Sequence, residues 1–171
     1  MIPTDKALYR AGTVRLPYAQ QGAVHPALLG FMAAVLLTTL TGTLVQTQFN
    51  LAAVQALGAG IGPGTWLWVT LQDLAGFSPV LFVITLMTFL VAIPASALFC
   101  RLTGLPRYLV YTVGTATGLV VAMRLVDHQV PMPTLIAASR GLFGTVALMA
   151  CAAAGGWIFA AMTSDTRRRA R

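Results

Sequence analysis

Asp73, Arg124, Asp127, His128 and Arg140 are the residues of this chain whose types and spacing could do chemistry. Arg124 and Asp127 are three positions apart, so on a helix they meet on one face. Arg140 could reach Asp127 or Asp73 in a charge-assisted pair across two helices. Ionisable groups close to hydrocarbon are costly and are usually paired. Three uses are open to such a set. It can be a structural ion-pair cluster that fixes helix register, which the pattern supports best. It can dock a partner's charged or polar surface. It can serve a small ligand, a quinone headgroup or a reaction.

Most specific chemistries find no support in the residue pattern. A shared-proton carboxylate dyad needs its two groups about 3 Å apart, and Asp73 falls in a connection with no motif around it. Haem held by two histidines needs both at one depth, whereas His25 and His128 fall on opposite sides of the expected bundle. Cys100 and Cys151 belong to no metal or redox spacing and read as small apolar core residues. The glycine-rich stretch 58–64 lacks the lysine and hydroxyl residue that end a phosphate loop. The centres of the first three apolar stretches hold no carboxylate or histidine of the kind that couples protons or ions. No catalytic residue, cofactor or metal ligand is therefore assigned.

The elements that must carry these residues are four long apolar stretches, at about 26–47, 79–100, 107–126 and 134–162. Each has roughly 20 residues or more, enough to cross a hydrocarbon core of about 30 Å as a helix. Composition agrees: of 171 residues 57% are hydrophobic and 9% charged, against about 25% charged in soluble domains. Mean hydropathy is +0.80.

The net charge of +7 is unevenly placed. Lys6, Arg10 and Arg15 precede the first span. Arg101 and Arg107 sit in the turn between the second and third. Arg167, Arg168, Arg169 and Arg171 follow the fourth. On the other side Arg124 and Arg140 cancel Asp73 and Asp127. This asymmetry predicts both termini in the cytoplasm of a bacterial inner-membrane protein. It also predicts attraction to anionic lipid and gives no reason to invoke nucleic acid.

Residues 1–24 read as a cytoplasmic lead-in without a cleavable leader, and 25–163 as one membrane domain. Pro26 is expected in the first turn of span one. The threonines of that span, from Thr38 to Thr47, are expected to bond within the helix or to a neighbour. The connection 48–77 is apolar for a loop. It predicts two short interfacial helices on the outer side, broken at 58–64, the second anchored by Trp66 and Trp68. Ser78 followed by Pro79 reads as an N-cap and first helical residue. Pro94 predicts a kink in span two, where Ser96 or a neighbouring helix could satisfy the carbonyl it frees.

Span three carries Gly114, Gly118 and Ala122 at four-residue steps, and span four carries Ala152 and Gly156. Such faces let helices approach closely, so spans three and four are expected to pack on them. Residues 164–171 read as a short, disordered basic tail.

The expected fold is all-α: an integral-membrane bundle of four transmembrane helices, up-down-up-down, with interfacial helices between the first two. The expected function is a non-catalytic accessory or anchor subunit of a larger respiratory, periplasmic redox or transport assembly. Its partners would be membrane lipids and other membrane or periplasmic subunits. A small homo-oligomeric transporter or channel is the alternative. An enzyme acting on lipid or quinone through the five residues named first stands third.

Overall fold

The computed structural model describes residues 18–129, 138 and 141–169, with side chains for 26–129, 138 and 141–164. Among them are five α-helices and no strand: α1 (Tyr18–Ala56), α2 (Pro63–Gly76), α3 (Ser78–Thr103), α4 (Arg107–Gln129) and α5 (Leu142–Arg169). Four contain segments long and apolar enough to cross a membrane: Pro26–Ala56 in α1, all of α3 and α4, and Leu142–Ser164 in α5. The fold is thus a bundle of four membrane-length helices with one short helix, α2, between the first two.

The long helices close into a ring. α1 packs on α5 and α3, and α4 packs on the same two. Side chains such as Val35, Leu81, Phe89, Leu119 and Leu148 meet inside and are almost fully buried. Lipid tails are as apolar as leucine, so burial from lipid drives little here. Close packing and interhelical hydrogen bonds must hold the ring. Small residues make the first possible. Gly155 lies against Ala34, Thr38 and Phe89, and Gly156 against Tyr111 and Thr115. Threonine supplies the second. The Thr38 hydroxyl donates to the Cys151 carbonyl at 3.3 Å, and the Thr115 hydroxyl to the Ala152 carbonyl at 2.8 Å. Thr39 and Thr85 differ, for their hydroxyls are buried with no hydrogen-bond partner.

Several boundaries depart from expectation for local reasons. α1 does not stop near Thr47. It runs through to Ala56 because no glycine or proline interrupts it before Gly58, which takes φ +90°. The first of the two expected short helices is therefore the end of α1, and α2 alone stands apart. Pro26 lies inside α1 rather than in its first turn. One proline removes one backbone donor, and a helix this long passes it. Phe77, not Ser78, occupies the cap position of α3 and gives no side-chain cap; Pro79 still falls in the first turn. The Ser78 hydroxyl instead meets that of Thr43 at 3.0 Å.

α3 ends at Gly104, whose φ of +68° suits a left-handed C-cap, and its N–H donates to the Cys100 carbonyl at 3.0 Å. α5 starts at Leu142, later than expected, just after Gly141. It runs on to Arg169, so the first part of the expected tail is helical.

Only one of the two small-residue faces meets the partner expected for it. A Cβ built on Gly118 would stand 3.1 Å from the Ala92 Cβ and 3.2 Å from the Thr88 Cγ2, both on α3. Gly114 abuts Ser96, also on α3, whose hydroxyl lies against the glycine. The Gly114–Gly118 face of α4 thus turns to α3. Close approach of α4 to α5 comes from Gly156 and Ala152 on α5 meeting Tyr111 and Thr115.

Candidate functional site

Two regions stand out once the bundle is built: the end that carries α2, and the open flank between α3 and α4.

At the α2 end, three polar side chains of α1 reach two other segments. The Thr47 hydroxyl is shared between the Thr43 carbonyl and the Asp73 Oδ2, each at 3.0 Å. Gln46, buried in the bundle, accepts the Ala138 N–H at 2.8 Å. Gln48 accepts the Trp66 indole N–H at 2.8 Å. One turn of α1 therefore ties down α2 twice and the segment before α5 once. Each bond satisfies a polar group that would be expensive to leave unpaired near lipid.

α2 itself has no buried residue. Trp66 is half-buried through its bond to Gln48, while Trp68 is 68% exposed and Leu67 63%. Ile61, Pro63, Trp66 and Gln48 border a shallow depression of about 540 Å³ between α2 and the end of α1.

Four of the five ionisable residues read from the sequence lie among the described residues. Asp73, half-buried, is engaged by Thr47. Arg124 and His128 are exposed on the last turns of α4, and Asp127 beside them is half-buried. Arg140 lies outside the described residues. α2 packs on α1 and α3, and Asp73 with it. Thr47, Gln46 and Gln48, which do the positioning, were not singled out as site residues. The available signal was two glutamines flanking a threonine at the end of an otherwise apolar span. Among the described residues no group of three His, Cys, Asp or Glu is placed to hold a metal ion.

The flank between α3 and α4 carries a groove of about 880 Å³, open to the outside. Gly114, Gly118, Ala92 and Ser96 bring the helices together at its floor, and Ala122 also lines it. Met87, Val91, Leu109, Val113 and Val121 stand along its edges, more than half exposed.

Where α4 starts and α5 ends, Arg107 is held in place. Its Nη2 donates to the Thr163 hydroxyl at 3.2 Å, and its guanidinium carbon lies 5.4 Å from the centre of the Tyr111 ring. Tyr108 and Ser164 share a hydrogen bond at 2.9 Å beside it. Arg107 thus faces α5 and locks the α4–α5 pair.

Comparison with family models, with curated proteins and with solved structures finds no match.

Proposed function

We propose that the chain is a non-catalytic accessory or anchor subunit of a larger complex in a bacterial inner membrane. In this reading both termini are cytoplasmic and α2 lies flat in the outer interface, ready to meet a membrane or periplasmic partner. The observation that carries it is the state of α2: an apolar helix with nothing buried, yet tied to α1 by Thr47–Asp73 and Trp66–Gln48. An apolar face of this size is usually covered. The two polar ties point to a surface presented in a set orientation.

A photoreactive residue placed at position 68 in native membranes tests this. Discrete protein adducts, identified after mild-detergent purification, are the expected result. Labelling of lipid alone would remove the support that α2 gives. Orientation is tested separately, by a reporter at the C-terminus that should be reached only from the cytoplasm.

The second reading, a homo-oligomeric transporter or channel, draws on one observation: the buried, unpartnered hydroxyls of Thr39 and Thr85. Flux through the purified chain in liposomes would favour it over the accessory role.

A further inference from the structure

We infer that the seam between α1 and α3 holds a buried water, bonded to the hydroxyls of Thr39 and Thr85. A threonine inside a helix has a partner at hand, the carbonyl one turn back. Thr41, Thr47, Thr88, Thr115 and Thr163 all donate to it within 3.0 Å. Thr39 and Thr85 are 3% and 0% exposed, yet neither makes that bond or any other among the described residues. Buried hydroxyls turned away from the carbonyl beside them point to a different partner.

The contacts on either side place the two hydroxyls at one depth. Toward the α2 end, the Thr43 and Ser78 hydroxyls meet at 3.0 Å, and a Cβ on Gly42 would stand 3.0 Å from the Leu81 side chain. Deeper in the bundle, Gly155 of α5 lies against Ala34 and Thr38 of α1 and also against Phe89 of α3. The two helices thus run antiparallel. Thr39 lies about 4.5 Å inward of Gly42 along α1, and Thr85 about 6 Å inward of Leu81 along α3. Both fall in the layer between these contacts. They do not bond each other, and one water reaching each at about 2.8 Å spans a gap of up to about 5.6 Å.

Charge and polarity choose the occupant. α1 carries no charged side chain from Pro26 onward, and α3 none before Arg101, so an ion would lie there unpaired. An apolar occupant would leave both hydroxyls unsatisfied. Water is neutral, donates and accepts, and is the usual occupant of such sites. Two side-chain partners are fewer than the roughly three bonds usual for a buried water. It is therefore loosely held, and the site costs the bundle stability rather than adding to it. The site depends on neither the topology nor the partner proposed above.

The full chain, isotope-labelled on its threonines and reconstituted in bilayers, would be read by solid-state NMR, following magnetisation from water protons into each threonine. Transfer is expected at Thr39 and Thr85 but not at Thr115, which is equally buried and bonded within the protein. Thr39→Val should abolish transfer to Thr85, and Thr85→Val transfer to Thr39, because a single water serves both. Thr39→Ser keeps the hydroxyl and should retain transfer to Thr85. An unchanged Thr115 signal shows in each variant that the bundle is intact. Transfer to neither threonine in the parent, or transfer to one that survives valine at the other, overturns the inference.

Discussion

The Thr115 hydroxyl lies 2.8 Å from the Ala152 carbonyl oxygen across the α4–α5 contact, and 2.8 Å from the Tyr111 carbonyl in its own helix. One proton is shared between these acceptors, with the Thr112 carbonyl a more distant third at 3.2 Å, so this side chain serves its own helix and the neighbouring one together. Thr115→Val keeps the shape and removes the donor. A loss of about 0.6–1.7 kcal/mol is expected, read as a lower midpoint in detergent unfolding. Thr115→Ser should recover most of it, and an unchanged midpoint for the valine variant would leave this bond without energetic weight.

Thr39 and Thr85 should respond with the opposite sign. Their hydroxyls are buried and unpartnered, which carries a penalty of about 1–3 kcal/mol each. Thr85→Val and Thr39→Val are therefore expected to raise the same midpoint. A drop in both would mean that these hydroxyls have a polar partner in the membrane, which is what a transport pathway would require.

Glycines on the two faces of α4's contacts should not be equal. A Cβ on Gly156 would run into backbone atoms of Tyr111, whereas a Cβ on Gly118 would meet only the side chains of Ala92 and Thr88. Backbone yields less than a methyl group. Gly156→Ala is expected to cost about 1–3 kcal/mol or more, and Gly118→Ala distinctly less. Gly118→Leu should separate α3 from α4. Thermal unfolding of the three variants in one detergent ranks them, and equal effects would contradict the packing described.

Release of α2 needs the loss of both its ties. Thr47→Val removes the bond to Asp73, and Gln48→Ala the bond from Trp66. Each single change is expected to be mild. Together they should speed amide exchange in 63–76 by about tenfold, the effect of roughly 1.4 kcal/mol, while α3 and α4 stay protected. Faster exchange across the whole chain would show that these contacts hold the bundle rather than the short helix.

The four membrane-length helices were legible because length and apolar composition alone decide them. Where the reading failed, the missing information was tertiary or purely local. Residues 48–57 read as a separate interfacial helix because the first apolar stretch reads as ending near Thr47. Backbone continuity, with no breaker before Gly58, decided otherwise. Gly114 and Gly118 were legible as a close-packing face, yet a small face does not say which neighbour takes it. That depends on the order of helices around the ring, which places α4 between α3 and α5. Asp73 stood out by its charge. Its partner Thr47 looked like any threonine in a threonine-rich span, and only the return of α2 toward α1 distinguishes it.

α1 has a mechanical consequence of its own. At 39 residues it measures about 58 Å, nearly double a hydrocarbon core of about 30 Å. It is held along much of that length, from Gly30 against Met162 and Phe159 on α5 to Gln46, Thr47 and Gln48 with their bonds to Ala138, Asp73 and Trp66. The ten residues beyond Gln46 reach about 15 Å, so a swing of about five degrees would carry the end at Ala56 only about 1 Å. Small shifts among the packed threonines and glycines would thus reach the end of α1 with little gain, and the helix acts as a stiff post rather than a lever.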